Sequence, residues 1–468
     1  MNAPQVSITA IPGLLVVDLP VHGDNRGWFK ENWQQEKLAA AGLPDFGPVQ
    51  NNISFNAARG TTRGIHAEPW DKYVSVATGR IFGAWVDLRG GETFGAVVTV
   101  ELGPEKAVFV PRGVGNAFQT LEDDTAYTYL VNDHWSAENQ DAYSFLNLAD
   151  ETVAIEWPIL LEHAQLSEKD RHHPRMAEVE PLDPAPVLVV GKNGQLGRAL
   201  VHLLEERSLP YLALGRDELD LAAPGEWPAI RWRDYRAVIN AAACTAVDTA
   251  ETPEGRLDAW AVNATGVTTL ARACGEAGVP LLHVSTDYVF DGTLPAGQQY
   301  EVDDAVCPVS VYGQSKAAGE AAVAALPAHH VVRTSWVIGE GKNFVSTMAA
   351  LAEKGIDPDV VDDQTGRLTF AADLAEGLLA LLDQQVPWGT HHFTNAGEPI
   401  TWYGVAREVY AAVGADPERV SPITTAEFTA DKDGIAPRPE NSVLCRTVPP
   451  GTALDVDHLA RLHEFLTG

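Results

Sequence analysis

The sequence predicts two domains, an all-β N-terminal domain and an α/β C-terminal domain built on a parallel sheet. In residues 12–157, short alternating or β-branched runs lie between glycine-containing turns, which is the pattern of a β-sandwich or barrel. Beyond residue 187, short apolar runs alternate with helical stretches, as in a parallel sheet with helices on both faces. A proline-rich segment separates the two patterns.

The domain boundary follows from residues 171–186, where four prolines and many polar residues predict an extended linker. We therefore expect a first domain over residues 1–175, a linker over 176–186 and a second domain over 187–468. The first domain has a predicted helix at 34–41 and predicted strands at 49–55, 73–77, 81–87, 96–102, 107–110 and 126–131. The second has predicted strands at 187–190, 211–214, 237–240, 281–285 and 330–333, and predicted helices at 195–206, 262–275, 312–325 and 345–353.

The charge of the chain excludes some classes of partner. Its 468 residues include 64 acidic and 33 basic side chains, a formal net charge of −31. Such a charge repels nucleic acid and anionic membranes, so we expect neither as a partner. The four cysteines have no Cys-x-x-Cys spacing, which favours reduced thiols over disulfides or a zinc site. No apolar run is long enough for a membrane span and the first residues do not look like a signal peptide, so we expect a cytoplasmic protein.

A glycine-rich turn opens the second domain. Gly191, Gly194 and Gly197 follow a predicted strand and begin a predicted helix. Glycines there let the backbone approach a pyrophosphate, which the helix N-terminus stabilises. Their spacing resembles that of extended short-chain dehydrogenases, so we expect a Rossmann fold and a dinucleotide cofactor. Arg216, at the end of the next strand, could hold the 2′-phosphate of NADPH; the adjacent Asp217 leaves NADH open, and a solvated surface arginine is the alternative.

A Tyr-x-x-x-Lys motif supplies the clearest chemical signal. Tyr312 and Lys316 are four residues apart on a predicted helix and so share one face. We expect the lysine to lower the pKa of the tyrosine and to position it as a general acid. Upstream, Ser285 and Thr286 end a predicted strand, where such folds bind substrates. Chance Tyr-x-x-x-Lys motifs are common, but chance agreement with the glycine turn in order and spacing is improbable.

From Val187 almost to its C-terminus the chain resembles dTDP-4-dehydrorhamnose reductase, through GKNGQLG, INAAACTAVDTAE, STDYVFDG, VYGQSKAAGE, VRTSWVIG, NFV, VVDDQTGRLT and RPENSVL. The resemblance implies that Thr286 is the catalytic hydroxyl, that Tyr312 protonates the nascent alkoxide, and that Lys316 supports the tyrosine and anchors the nicotinamide ribose. It places further residues at the cofactor, namely Asn193, Gln195, Leu196, Ala241, Ala242, Ala243 and Thr245. It places Asp287, Tyr288 and Trp336 at the sugar, and Arg438 and Asn441 near the nucleotide diphosphate. A missing proline in GRLT and the presence of Cys244 are small departures.

Residues 8–175 resemble dTDP-4-dehydrorhamnose 3,5-epimerase, a metal-independent cupin-type jelly roll, through GDNRGWFKE, QNNISF, TRGIH, GRIFGAWVDLR, FGAVVTVEL, VPRGVGNAF, IEWP and LSEKD. The resemblance implies that His66 is the general base, Asp170 its orienting carboxylate, Lys72 the cation at the enolate and Tyr129 the acid on the other face. It places further residues at the substrate, namely Arg26, Glu31, Gln50, Asn52, Arg63 and Asn116, with both arginines at the diphosphate. No His-x-His spacing supports a metal site, so we expect none.

Two departures from the epimerase pattern lie near the expected base. Asn116 stands where the family has a second histidine, and asparagine can hydrogen-bond an enolate oxygen but cannot shuttle protons. Glu68-Pro69-Trp70 replaces the usual Tyr-Gln segment. Because the base, its orienting carboxylate, the cation and the acid all persist, we expect retained activity.

Together the resemblances imply a bifunctional enzyme that performs the last two steps of dTDP-L-rhamnose synthesis with NADPH. One alternative is a working reductase attached to a non-catalytic module for sugar-nucleotide binding or dimerisation. Another is a related pathway with other stereochemistry, such as epimerisation at one position. Both families tend to dimerise, so we expect a homodimer. Some related reductases carry Mg²⁺ at an acidic dimer contact, although no residue here compels it.

Overall fold

The computed structural model describes residues 3–44, 46–134, 143–182, 185–384, 386–430 and 432–467. The chain divides between residues 184 and 185 into two compact units. In the part of the chain that is described, every helix is too short or too polar to cross a bilayer.

The N-terminal unit consists almost entirely of strands, as the sequence predicts. Its strands are β1 (Gln5–Ile8), β2 (Leu15–Asp18), β3 (Val21–Asp24), β4 (Gly27–Lys30), β5 (Gln50–Asn56), β6 (Thr62–Ala67), β7 (Lys72–Thr78), β8 (Ile81–Asp87), β9 (Val97–Leu102), β10 (Lys106–Val110), β11 (Val114–Thr120), β12 (Thr125–Val131) and β13 (Ser144–Phe145). Its helices are α1 (Gln35–Ala40) and α2 (Glu168–Arg171).

Two antiparallel sheets enclose the core of this unit. Their strand orders are β1-β2-β10-β7-β12-β5 and β13-β6-β11-β8-β9, and β3 and β4 form a separate hairpin. Val74 and Val76 from the first sheet pack with Trp85 and Phe118 from the second, all buried. Alternating side chains along each strand therefore meet between the sheets, which is the physical basis of the period-two pattern in the sequence.

The expected linker begins later than its prolines indicate. Met176 and Val179 are buried against Ile65, and Met176–Glu178 form a short 3₁₀ turn. Leu182 exchanges backbone hydrogen bonds with the chain around Leu88, from Leu182 N to Leu88 O at 2.7 Å and from Gly90 N to Leu182 O at 2.8 Å. The apolar residues at 176, 179 and 182 attach this segment to the N-terminal unit, so residues 176–182 are not a free linker. Residues 183 and 184 of the expected linker lie outside the described residues.

The C-terminal unit alternates strands and helices. Its strands are β14 (Val187–Val190), β15 (Tyr211–Leu214), β16 (Ala237–Asn240), β17 (Leu281–Thr286), β18 (His329–Thr334), β19 (Val337–Ile338), β20 (Asp359–Val361), β21 (Thr365–Gly366), β22 (Thr369–Phe370), β23 (Gly389–His392), β24 (Ile400–Thr401) and β25 (Ser421–Ile423). Its helices are α3 (Gln195–Glu206), α4 (Pro253–Trp260), α5 (Val267–Ala277), α6 (Val311–Ala324), α7 (Phe344–Glu353), α8 (Ala371–Asp383), α9 (Trp402–Ala412), α10 (Thr425–Thr429) and α11 (His458–Thr467).

A parallel six-stranded sheet, in the order β15-β14-β16-β17-β18-β23, forms the centre of this unit. Leu200 of α3 and Leu378 of α8 belong to one core cluster, and Leu270 of α5 belongs to another. Every residue of β14 is buried, as expected for a strand covered on both faces. A third cluster joins Val345 of α7 to Val409 of α9 away from this sheet.

The helix expected at 262–275 is not regular at its start. Ala261–Gly266 form a π-helical turn, and α5 begins only at Val267. The wider turn accommodates an extra residue, and such turns occur often at functional sites. Here the turn contains Asn263, whose contacts are described below.

Candidate active sites

In the N-terminal unit, His66 and Asp170 form a hydrogen-bonded pair. His66 lies on β6, and its Nε2 is 3.0 Å from Oδ1 of Asp170. Asp170 lies on α2, where its backbone N–H donates to Ser167 Oγ at 3.0 Å. Although burial opposes it, hydrogen bonding to His66 and Ser167 holds the pKa of Asp170 below its ordinary value. The ionised carboxylate can therefore orient the imidazole, as the sequence predicts.

A second histidine adjoins this pair and was not predicted. His173 is buried, and its Nε2 lies 3.8 Å from Oδ1 of Asp170. Burial, and then the proximity of His66, lowers the pKa of His173. The potential metal-ligating atoms of His66, Asp170 and His173 lie within 4.8 Å of one another, and metal sites also combine histidine with aspartate. The hydrogen bond between His66 and Asp170 explains why these two side chains lie together without an ion. In the sequence, the Asp-x-x-His spacing of Asp170 and His173 could have indicated His173.

Lys72 and Tyr129 lie together, as predicted, with an unpredicted carboxylate. Lys72 is buried at the start of β7 and forms an ion pair with Glu68. Its Nζ lies 5.6 Å from the centre of the Tyr129 ring. Burial, and then the Glu68 carboxylate, raises the pKa of Tyr129. The phenol therefore stays protonated at neutral pH and can serve as a proton donor.

Asn116 lies directly opposite His66 in the β6–β11 pairing. Its Oδ1 accepts a hydrogen bond of 3.2 Å from the hydroxyl of Tyr127, which itself stacks on Phe118. Since the side-chain oxygen is used in this way, the amide group of Asn116 can act as a donor towards a ligand. Tyr127 was not predicted, and only its two-residue spacing from Tyr129 on one strand indicated that it shares a face with it.

The remaining predicted residues of this unit divide into two groups. Asn52 pairs with Tyr129 across β5 and β12 and accepts a hydrogen bond of 2.8 Å from Gln50 Nε2. Arg63 Nε donates to Asn56 Oδ1 at 3.0 Å, and its charge lowers the pKa of Tyr129, although burial has the larger, opposite effect. By contrast, two predicted residues make local surface pairs, Arg26 with Asp24 in the β3–β4 hairpin and Glu31 with Lys37.

In the C-terminal unit, the glycine turn brings backbone segments too close for side chains. Gly191 has φ +95°, and a Cβ there would lie 2.7 Å from the backbone nitrogen of Ala242. A Cβ at Gly197 would lie 2.0 Å from the carbonyl oxygen of Gly191. Gly194 precedes α3 and contributes no side-chain cap. The turn, the loop after β16 and the start of α3 therefore form a backbone-lined cradle that fits a dinucleotide pyrophosphate.

The other residues expected at the cofactor mostly support this cradle. Gln195 Oε1 accepts a hydrogen bond of 2.7 Å from Gly339 N, and Leu196 is buried in the core. The loop Ala241–Thr245, which includes Ala243, follows β16. Asn263 was not predicted, yet its side chain bonds both the N–H and the carbonyl of Cys244 in that loop, at 2.8 and 3.0 Å.

Arg216 lies beside the cradle on the protein surface. A Cβ at the preceding Gly215 would lie 2.7 Å from Asn193 Nδ2, so this segment adjoins the glycine turn. The Arg216 side chain is 78% exposed, and its Nε donates to Asp220 at 3.2 Å. The position of Arg216 suits binding of a 2′-phosphate. Its hydrogen bond to Asp220 is equally expected of a surface arginine that binds no ligand.

Thr286, Tyr312 and Lys316 converge at the carboxyl end of β17. Thr286 ends that strand, its hydroxyl donates to Asp287 Oδ1 at 3.0 Å, and it lies close enough to Tyr312 on α6 to influence the pKa of that phenol. Lys316, one helical turn further along, is buried and donates to the carbonyl of Val284 at 2.7 Å. Its Nζ also lies 3.4 Å from Nε2 of His283, a buried residue that was not predicted although it interrupts the apolar run of β17.

The expected lowering of the Tyr312 pKa is wrong. Burial, and then the Asp287 carboxylate, raises the pKa of Tyr312, and the Thr286 hydroxyl opposes this only in part. Burial also lowers the pKa of Lys316 to about 8. The phenol is therefore a neutral proton donor, which suits the protonation of an alkoxide.

Asp287 and Tyr288 follow Thr286 and face the same cluster. Burial raises the pKa of Asp287 to about 6, although hydrogen bonds from Ser442 and Thr286 oppose the shift. Tyr288 packs edge-on against Tyr312, with ring centres 5.7 Å apart. The Arg438 guanidinium lies close enough to lower the pKa of the Tyr288 phenol, although burial has the larger, opposite effect.

Arg438 and Asn441 approach this cluster from the C-terminal part of the chain. Arg438 Nη2 donates to Asp248 at 2.9 Å, and Asp248 was not predicted. Asn441 instead bonds the backbone of a nearby loop, donating to Leu294 O at 3.2 Å and Gln298 O at 3.0 Å. These bonds hold that loop, and the position of Asn441 near a diphosphate stays a prediction.

Trp336 has a positive φ of 47°, which is rare for a bulky residue. Its ring stacks on Trp402 with centres 3.8 Å apart. A Cβ at Gly366 would lie 2.7 Å from the Trp336 ring, so glycine allows this packing. Trp336 thus joins the third core cluster at its edge.

The folds and sites define a two-unit enzyme, with a β unit that presents a His–Asp pair and a parallel-sheet reductase unit with a desolvated Tyr312 beside Thr286. Residues 8–178 match the dTDP-4-dehydrorhamnose 3,5-epimerase family, and residues 185–449 match the RmlD substrate binding domain family. The chain belongs to both families.

Different relatives match each unit. The RmlC homolog of Streptococcus pyogenes is 51% identical over 182 residues, which are 38% of this chain and 91% of that protein. A dTDP-4-dehydrorhamnose reductase of Mycobacterium tuberculosis is 45% identical over 263 residues, which are 55% of this chain and 84% of that protein.

Solved structures resemble the C-terminal unit. A dTDP-4-dehydrorhamnose reductase of Clostridium acetobutylicum is 34% identical with a TM-score of 0.52, covering 60% of this chain and 98% of that one. The enzyme from Bacillus anthracis, solved in complex with NADP, is 29% identical with a TM-score of 0.52 and the same coverage.

Proposed function

We propose that the chain is a bifunctional enzyme of dTDP-L-rhamnose synthesis. The N-terminal unit epimerises dTDP-4-dehydro-6-deoxy-D-glucose at carbons 3 and 5. The C-terminal unit reduces the resulting dTDP-4-dehydro-L-rhamnose to dTDP-L-rhamnose with NADPH. The observation that carries the proposal is that one chain contains both a His66–Asp170 pair near Lys72 and Tyr129 and a Thr286–Tyr312–Lys316 cluster.

In the epimerisation, His66 takes the proton from the carbon next to the ketone through the ring nitrogen that is not bonded to Asp170. The Lys72 ammonium and the Asn116 amide stabilise the enolate oxygen that forms. Tyr129, kept neutral by its raised pKa, returns a proton on the opposite face of the ring. Solvent then restores the phenol and removes the proton from His66.

In the reduction, NADPH supplies the hydride when it is bound. Gly191, Gly194 and Gly197 leave room for its pyrophosphate at the start of α3. Thr286 and Tyr312 hold the ketone oxygen through their hydroxyls, and Tyr312 gives its proton to that oxygen as it becomes an alkoxide. Lys316, held by the Val284 carbonyl, supports Tyr312 and anchors the nicotinamide ribose.

The finer fold assignments belong to the same proposal. Two facing antiparallel sheets support a cupin-type jelly roll, and the parallel sheet with its glycine turn supports a Rossmann fold of the extended short-chain dehydrogenase type. The cluster around α7 and α9 is the corresponding small substrate subdomain. We place the enzyme in the cytoplasm.

A homodimer is proposed on the exposed edge of the first sheet. Ile53 and Phe55 on the edge strand β5 are 68% and 61% exposed. An apolar edge strand of this kind is stabilised when a second chain covers it. Light scattering on the purified protein should therefore give the mass of two chains.

One assay tests the whole proposal. Purified protein receives dTDP-4-dehydro-6-deoxy-D-glucose and NADPH in heavy water without any added epimerase, and NMR follows the product. We expect dTDP-L-rhamnose with deuterium at carbons 3 and 5. If rhamnose forms only when a separate epimerase is supplied, the N-terminal unit is a binding or dimerisation module and the bifunctional proposal fails.

A further inference from the structure

Glu68 forms a buried ion pair with Lys72 in the N-terminal unit, and Glu68 has no part in the mechanism above. Glu68 and Lys72 lie at the two ends of the connection between β6 and β7. Their side chains are 13% and 6% exposed, respectively. Removing two charges from water is costly, and the attraction between them often does no more than repay that cost. Stability is therefore a weak reason for a carboxylate at this place.

The backbone holds Glu68 rigidly beside the site. Its carbonyl accepts a hydrogen bond of 3.0 Å from Gly113 N, which attaches it to the loop before β11. The following residues also restrict it, since Pro69 fixes its own φ and Trp70 is buried edge-on against Tyr143 with ring centres 5.3 Å apart. The Glu68 carboxylate is thus kept at Lys72 by its surroundings.

Three phenols face this carboxylate. The pKa values of Tyr127 and Tyr129 on β12, and of Tyr143 before β13, are all raised, with burial as the largest cause and Glu68 as a further cause in each. Two more charged residues act on these phenols: Arg63 lowers the pKa of Tyr129, and Asp133 raises that of Tyr143. Removal of the Glu68 charge would therefore let these phenols ionise at lower pH.

Two other desolvated lysines of the chain show how burial acts on an ammonium group. Lys30 and Lys316 donate to backbone carbonyls, those of Val76 and Val284, at 2.9 and 2.7 Å. Burial lowers the pKa of each to about 8. In both lysines burial outweighs the opposing effect of a carboxylate, Glu105 for Lys30 and Glu320 for Lys316.

We propose that Glu68 is a positioning residue of the epimerase reaction, whose carboxylate holds the Lys72 ammonium in an ion pair beside Tyr129. This inference rests on the proposed function, because Lys72 must act on the enolate for its charge to matter. Glu68 thereby sets the upper pH limit of epimerisation. Loss of its charge would leave the Lys72 ammonium without its ion-pair partner and would let the Tyr129 phenol ionise at lower pH, so the alkaline limb of the pH profile should move to lower pH.

The test compares full-length wild type with Glu68→Gln and Glu68→Asp. Deuterium entry at carbons 3 and 5 of dTDP-4-dehydro-6-deoxy-D-glucose is followed from about pH 6 to 10, with kcat and KM measured separately. For Glu68→Gln we expect the alkaline limb to fall by about one pH unit or more and kcat at pH 8 to fall about tenfold, with KM little changed. Glu68→Asp should restore most of the wild-type profile.

Glu92→Gln, an exposed carboxylate of the same unit, is the matched control and should leave the profile unchanged. Reduction of supplied dTDP-4-dehydro-L-rhamnose by each variant checks the integrity of the chain. If wild type exchanges no deuterium, the proposed epimerase function itself fails. If wild type exchanges and Glu68→Gln keeps the same alkaline limb, the role of Glu68 is overturned. If Glu68→Gln does not fold, Glu68→Asp decides. The proposal is contradicted if the alkaline limb of Glu68→Asp shifts by as much as was expected for Glu68→Gln, or if kcat of Glu68→Asp falls equally at every pH.

Discussion

At the scale of single residues, burial sets the protonation states in the reductase cluster. Tyr312 has a raised pKa and Lys316 a lowered one, and burial is the largest cause of both shifts. The motif alone suggested that the cation would acidify the phenol, but motif spacing contains no information about solvent. A neutral phenol remains an adequate donor, because an alkoxide is far more basic.

Replacement of Tyr312 by phenylalanine should stop ketone reduction. Because the proton donor is lost while the glycine cradle is intact, we expect kcat to fall by roughly 10²–10⁴-fold with NADPH affinity preserved. Single-turnover reduction and cofactor fluorescence titration measure the two quantities. Tyr211→Phe, at the amino end of β15, should behave as wild type. Normal turnover of Tyr312→Phe would contradict the assignment.

Asp287 should make the stability of the C-terminal unit depend on pH. The folded-state pKa of Asp287, about 6, lies above the ordinary value of 3.8. Between these two pH values the folded form retains a proton that the unfolded form loses, so stability falls as pH rises from one to the other. Asp287→Asn removes that penalty, and we expect it to stabilise the unit at pH 7.5 by at most about 3 kcal/mol. At pH 3.5 the difference should largely vanish.

Thermal unfolding of both proteins across this pH range checks the sign. If Asp287→Asn is instead less stable than wild type at pH 7.5, with a difference that disappears towards acidic pH, Asp287 is stabilised as a carboxylate rather than penalised by burial.

At the scale of elements, close backbone packing rather than side-chain chemistry shapes the cofactor cradle. Gly191 adjoins the loop after β16, and Gly197 lets α3 approach the glycine turn. The sequence predicted β14, α3 and this turn because their signals are local. The bonds from Asn263 to Cys244 were not predictable, because they depend on how a π-helical turn meets a loop 19 residues away.

Gly197→Ala should damage the cradle. Its Cβ would lie 2.0 Å from the Gly191 carbonyl oxygen, so α3 must move away from the turn. We expect NADPH to bind at least about tenfold more weakly and the unit to lose about 1–3 kcal/mol of stability. Gly225→Ala is the control, since nothing lies within 4 Å of a Cβ there. Equal NADPH affinity in the two variants would exclude a tight cradle at Gly197.

At the scale of the whole molecule, the chain contains two units with separate cores. The segment through Leu182 packs on the first unit, which leaves few residues between them. Because each proposed catalytic cluster draws its residues from one unit, inactivation of one cluster should leave the other intact.

Two inactive chains should therefore complement each other. His66→Ala should lose deuterium exchange yet reduce supplied dTDP-4-dehydro-L-rhamnose, and Tyr312→Phe should do the reverse. An equimolar mixture should form dTDP-L-rhamnose, because the intermediate can pass through solvent. NMR of the product measures this. A mixture as inactive as its parts, although each variant retains its own half-reaction, would require transfer within one chain.

The sequence by itself determined the two fold patterns, the glycine turn and the Tyr-x-x-x-Lys helix, because strand alternation, turn sterics and helical periodicity act over a few residues. Only the tertiary structure decided which distant groups meet. Asp170 reaches His66 across 104 residues, and Arg438 reaches Asp248 across 190. It also decided the charge states of Tyr129, Asp287 and Tyr312, since desolvation depends on every element packed around a group and not on its neighbours in the chain.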